Sequence, residues 1–223
     1  MSINVAIDGP AGAGKSTIAR MLARELNYIY VDTGAMYRAM ALYMIEHKID
    51  VSHLDEVGSA CDAITIDIQY SAGEQQVILN GKNVNDFIRT ETVSEMSSKI
   101  SAIPEVREKL LSLQRSLAVA ENVIMDGRDI GTHVLPNADV KIFLTADAHV
   151  RAVRRYEEFI AKGVSCTLEN VEREVIERDE RDMNRAIAPL KQAEDAVRVD
   201  TSAMTIEEVV CYLKNLIGQA VAR

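Results

Sequence analysis

The run Gly9-Pro10-Ala11-Gly12-Ala13-Gly14-Lys15-Ser16-Thr17 follows a short apolar stretch at residues 3–8 and leads into a helical pattern. Its spacing is GxxxxGK[ST], the phosphate-binding loop, in the strand–loop–helix context the loop requires. Glycines at 9, 12 and 14 permit backbone angles that other residues avoid. Successive N–H groups can then face an anion, and the helix starting near Lys15 adds the positive end of its dipole. Lys15 supplies a charge for the β- and γ-phosphates of a nucleotide, and Ser16 a hydroxyl for Mg²⁺.

The rest of the chain alternates in the way such a loop demands. Apolar strands are expected at 3–8, 28–32, 122–125, 140–145 and 197–200, and helices at 15–26, 36–47, 92–120 with a break before Pro104, 148–162, 168–186 and 206–216. This order implies an α/β fold: a five-stranded parallel sheet with helices on both faces and right-handed crossovers. Near residue 60 the period changes. Ile64, Ile66 and Ile68 alternate with polar residues, and Val77-Ile78-Leu79 runs into Asn80-Gly81, a hairpin signal. Residues 63–87 therefore read as a small antiparallel β insert. Ligands of an open parallel sheet sit beyond the carboxyl ends of its strands, which places Gly9, Asp32, Asp126 and Asp200 on one rim.

At 223 residues the chain is long enough for one α/β core and a small subdomain. A net charge of −9 argues against general nucleic-acid or anionic-membrane binding. Cys61, Cys166 and Cys211 form no CxxC pair, and the four histidines show no metal spacing. Reduced thiols, with no signal peptide or membrane-length segment, fit a cytoplasmic protein. No heptad seam is present, and a monomer is expected. Sixteen arginines against nine lysines favour bidentate binding of phosphate.

Three further segments carry chemistry. Asp32-Thr33-Gly34-Ala35-Met36-Tyr37-Arg38 follows the second strand, with Thr33 either an anion ligand or an N-cap. Val123-Ile124-Met125-Asp126-Gly127-Arg128-Asp129 is an apolar strand ending in an aspartate suited to Mg²⁺. Arg178, Arg181, Asp182 and Arg185 share one helix face at i, i+3, i+4 and i+7. With Arg151, Arg154 and Arg155 upstream, this stretch reads as an arginine-bearing lid around a polyphosphate. No strong general base accompanies these motifs, which favours a phosphate over an alcohol as phosphoryl acceptor.

Taken together, these segments, with Ile88-Arg89-Thr90, 104–108 (PEVRE), 126–132 (DGRDIGT) and 177–190 (ERDERDMNRAIAPL), resemble the bacterial-type cytidylate kinases of the nucleoside monophosphate kinase family, over essentially the whole chain. The resemblance implies one P-loop kinase domain with a monophosphate-binding region over 33–120 and a lid over 148–186. It implies transfer of the γ-phosphoryl group of ATP to CMP or dCMP with Mg²⁺, in pyrimidine nucleotide metabolism, with small nucleotides as partners. Residues 9–17 would bind ATP, and Ser16 and Asp126 the metal. Thr33, Arg38, Arg89 and Arg128 would hold the phosphate of CMP, Ser98, Arg107 and Asp129 its base, and Arg178 and Asp182 its sugar, with Tyr37 also among the CMP-binding residues. Lys15, Arg128, Arg151, Arg155 and Arg185 would neutralise the transferring phosphate. The alternatives are a P-loop kinase for another monophosphate or metabolite, and a GTP-controlled switch, whose NKxD signature is missing from this chain.

Overall fold

Val5, Ala6 and Ile7 are wholly inaccessible to solvent, so the strand that feeds the phosphate loop must be covered on both faces. The computed structural model describes residues 2–221. Along it run β1 (Asn4–Asp8), α1 (Lys15–Leu26), β2 (Ile29–Asp32), α2 (Thr33–Glu46), α3 (Leu54–Ala63), β3 (Ile66–Ser71), β4 (Glu74–Leu79), β5 (Lys82–Asn83), α4 (Glu91–Ile100) and α5 (Pro104–Ala120). Then follow β6 (Val123–Gly127), a π-helical turn (Ile130–Val134), β7 (Val140–Thr145), α6 (Ala148–Ala161), α7 (Leu168–Met183), β8 (Val197–Asp200) and α8 (Ile206–Val221).

The main sheet has the order β2-β6-β1-β7-β8, and every pairing in it is parallel. Each face carries its own core. Met36, Met40 and Met44 of α2 pack with Val106 and Leu110 of α5 and with Val31 and Met125 from the sheet. Ile18 and Leu22 of α1 and Val209, Val210 and Leu213 of α8 pack on the other face with Val5, Ile7, Ile142 and Leu144. A strand buried on both sides reads as a continuous apolar run, and the parallel sheet is the architecture that produces one.

The insert is a three-stranded antiparallel sheet, β3-β4-β5. Asn80 and Gly81 both take positive φ, 46° and 81°, as a two-residue hairpin turn requires. Helices α6 and α7 form a hairpin with a small core of Ala152, Val171 and Val175, flanked by Tyr156 and Phe159.

The differences from expectation are local. Helix α3, which the sequence reading leaves unassigned, precedes the insert and buries Val57, Ala60 and Cys61. Helix α2 starts at Thr33 rather than Met36, because the Asp32 carboxylate accepts from the Ala35 N–H at 2.8 Å and caps it. Thr33 is thus the first helical residue and not the cap. Helix α7 ends at Met183, three residues short of the expected boundary. Asp200 does end its strand, but its carboxylate accepts from Ser202 and lies outside the cleft described next.

Candidate active site

Two parts of the chain meet at the carboxyl edge of β1. The first is the phosphate loop. Gly9 has φ of +147°, and a Cβ there would stand 1.9 Å from the Leu144 carbonyl oxygen. Only glycine lets the loop leave β1 this close to β7. Gly14 sits in the left-handed region with φ 84° and hands the chain to α1. Lys15, buried, folds its ammonium back onto the Pro10 carbonyl at 2.7 Å. Burial drives its proton affinity well down, helped by Arg128 and opposed by Asp126 and Asp8. An anion in the loop would restore it.

The second part is the end of β6. Asp126 is buried, and both its oxygens are engaged: Ser16 Oγ donates at 2.8 Å and Tyr30 Oη at 3.0 Å. Burial and the neighbouring Asp32 push its carboxyl upward, against Lys15, Ser16 and Tyr30. Thr33 Oγ1 donates to the Asp126 carbonyl at 2.7 Å and ties α2 to β6. Gly127 makes this contact possible, because a Cβ there would lie 2.9 Å from the same hydroxyl.

Beyond these carboxylates lies a cleft of about 920 Å³. Lys15, Ser16 and Thr17 line one end, and Tyr37, Ser98, Arg107 and Asp129 the other. Arg38, Arg89, Arg128, Arg155, Arg178 and Arg185 lie along its walls. Asp182, also in the wall, organises part of this set: Arg128 Nε donates to it at 2.9 Å and Arg185 pairs with its other oxygen. Burial would raise the Asp182 carboxyl, but Arg128, Arg185 and Arg178 outweigh burial and hold it below the ordinary range. Arg178 is pushed down to about 10 by burial and then by Arg128, with Arg155 and Arg38 adding to the effect. The Nε–H groups of Arg38, Arg107 and Arg178 are buried with no acceptor. Crowded cations with unmet buried donors are suited to an anion.

At the far end Arg107 pairs with Asp129 and donates to the Ser101 carbonyl at 3.1 Å. The guanidinium lies 5.9 Å from the centre of the Tyr37 ring, and burial raises the Tyr37 phenol to about 12.

Two arginines lie elsewhere than expected: Arg181, placed by its spacing on the helix face with Arg178 and Arg185, and Arg151, expected in the lid at the transferring phosphate. Arg181 is exposed and donates to the Glu177 carbonyl at 3.3 Å, away from the cleft. Arg151 is buried behind the phosphate loop, where it donates to Ala146 and Ala11 carbonyls at 2.9 and 3.0 Å and to Asp179 at 2.5 Å. It braces the loop and does not line the cleft. Gly9, Pro10 and Ala13 likewise belong to the loop's frame, while Ala11, Gly12 and Gly14 line the cavity.

The cleft is also lined by residues that the sequence does not single out, Ser94, Ser97, Ser101, Met204, Thr205, Ile206 and Val209, and by Arg154 of the arginine-bearing stretch. Arg154 is fixed by the Thr201 carbonyl at 2.8 Å. No group of three or more His, Cys, Asp or Glu side chains suited to a metal occurs among the described residues. None of the described helices is long and apolar enough to cross a membrane.

Solved structures share this architecture. A gluconokinase from Sinorhizobium meliloti matches with a TM-score of 0.50 at 14% identity, covering 97% of this chain and 92% of its own. An uncharacterized protein from Eubacterium ventriosum matches at 0.52 and 14%, covering 98% and 99%. Sheet order, loop and basic cleft define the class: a phosphotransferase on the P-loop kinase fold. The family model for cytidylate kinase matches residues 5–219. A cytidylate kinase from Carboxydothermus hydrogenoformans is 50% identical over 219 residues, covering 97% of this chain and 98% of its own. One from Bacillus cytotoxicus is 44% identical over 221 residues, covering 99% and 98%. The chain belongs to the cytidylate kinase family.

Proposed function

We propose that this chain transfers the γ-phosphoryl group of ATP to the phosphate of CMP or dCMP, giving ADP and CDP or dCDP. The observation that carries this reading is the charge of the cleft. Arg38, Arg89, Arg128, Arg178 and Arg185 surround one volume with Lys15 at its edge, and part of their hydrogen-bonding capacity is unspent. Two polyanions meeting end to end would use it. Phosphoryl transfer of this kind needs positioning and charge compensation more than covalent chemistry. An oxygen of the acceptor phosphate bonds to the γ-phosphorus as the bond to the β-bridging oxygen breaks.

On this reading the phosphate loop holds the donor, and Lys15 follows the charge that develops on its β- and γ-oxygens. The segment bearing Arg154, Met204 and Ile206 is suited to the donor's base, since it combines a guanidinium plane with apolar wall. Thr33, Arg38, Arg89 and Arg128 hold the acceptor phosphate. Ser98, Arg107 and Asp129 read cytosine, while Arg178 and Asp182 face the sugar. Arg155 and Arg185 approach from the α6–α7 lid.

Ser16 and Asp126 would hold Mg²⁺. The fit rests on Asp126, a buried carboxylate with raised proton affinity beside a second carboxylate, Asp32, and on the Ser16 hydroxyl at 2.8 Å. A small oxygen-seeking cation suits such donors. When bound, it would neutralise charge on the donor phosphates.

A coupled ADP-release assay over CMP, dCMP, UMP, AMP and GMP tests the reading. CMP and dCMP should dominate kcat/KM. Equal turnover of UMP and CMP would remove the cytosine assignment. Lys15→Ala should cut turnover by about 10²–10³-fold with the circular dichroism spectrum retained; survival of activity would refute the role given to the loop.

A further inference from the structure

Strand β2 is the edge of the main sheet, so one side of its backbone has no partner strand. Open edges are covered in native proteins because unpaired N–H and C=O groups are costly. Here the insert covers the edge with side chains instead of a strand. Gln75, on β4, accepts from the Asp32 N–H through Oε1 at 2.8 Å and donates to the Asp32 carbonyl through Nε2 at 3.2 Å. A carboxamide carries the same donor and acceptor as a peptide group. Gln75 thus supplies one residue's share of the missing strand. Two positions back along β2, Tyr70 Oη donates to the Tyr30 carbonyl at 3.2 Å.

These contacts differ in what lies behind them. Asp32 is buried and its carboxylate works in three directions. It caps α2 at Ala35 and takes Arg38 at 3.0 Å, and it stands 3.7 Å from Arg89. Both arginines line the cleft. Gln75 is itself fixed from behind: Asn85 donates to the Gln75 carbonyl at 2.8 Å and accepts from the Val77 N–H at 2.9 Å. A rigid support of this kind is what holds a binding group in register.

We infer that Gln75 is a positioning residue for the acceptor site: it locks the backbone of Asp32, and through Asp32 it sets Arg38 and Arg89. The insert thereby controls acceptor affinity through one side chain. The inference rests on the reading of CMP as the acceptor.

Steady-state kinetics of full-length Gln75→Met tests it, since methionine keeps the shape and loses both bonds. The KM for CMP should rise about five- to tenfold while the KM for ATP stays within about twofold. Gln75→Ala should behave likewise. Tyr70→Phe removes docking at Tyr30 only and should lower the melting temperature with the CMP KM unchanged. Three results overturn the inference: an unaltered CMP KM in both Gln75 variants, a parallel rise in the ATP KM, or an equal rise in Tyr70→Phe. If the unmodified chain fails to phosphorylate CMP, the acceptor reading falls, and this inference with it.

Discussion

Asp129 is a charge in surroundings that disfavour it. Burial pushes its carboxyl upward, against Arg107, His133 and Arg185. On the proposed reading, a carboxylate so placed would accept from the exocyclic amino group of cytosine, whereas uracil presents a carbonyl there. Repulsion between two acceptors would then reject the wrong base. Asp129→Asn offers a donor as well as an acceptor, so the preference for CMP over UMP should fall by about tenfold or more. Relative kcat/KM for the two acceptors measures it, and an unchanged ratio refutes the role. Asp129 and Arg128 are legible in the sequence because charged residues directly follow an apolar strand. Tyr30 and Gln75 are not. Tyr30 reaches Asp126 across 96 positions and Gln75 reaches Asp32 across 43, and nothing local marks either as part of a site.

Between elements, the least legible feature is the join of β1 to the π-helical turn after Asp129. Asp8, the last residue of β1, accepts from the Ile130 and Gly131 N–H groups, each at 2.7 Å. The entry to the phosphate loop is thus bonded to the segment that follows the Asp129 site. Burial raises the Asp8 carboxyl to about 6, with Asp129 adding and the two amides and Lys15 opposing. The folded chain therefore takes up this proton at a pH where the unfolded chain does not. The contribution of Asp8 to stability accordingly falls as pH rises from about 4 to about 6. Asp8→Asn abolishes that titration. The unfolding free energy of the unmodified chain minus that of the variant should be larger at pH 4 than at pH 7, by up to about 3 kcal/mol in urea titrations. Equal differences would mean an ordinary carboxyl. Helix α3 escapes the sequence reading for a simpler reason. Its buried positions, Val57, Ala60 and Cys61, are few, and Gly58 interrupts them.

At the scale of the molecule, an acidic chain encloses a basic cleft, with a net charge of −9 around a wall of arginines. Strand positions and the parallel sense of the sheet follow from alternation and apolar runs. The order β2-β6-β1-β7-β8 does not, because it depends on which distant strands share a core. Closure of the lid and insert over two substrates would exclude water that otherwise competes as acceptor. Small-angle scattering should show a smaller radius of gyration with ATP analogue and CMP together than with neither; identical profiles would exclude closure. One brace sets a limit on engineering. Since Arg151 joins the Ala11 carbonyl to Asp179, the helical hairpin is not a transplantable cassette. A chimera that swapped it without this arginine would leave the phosphate loop lacking its buttress.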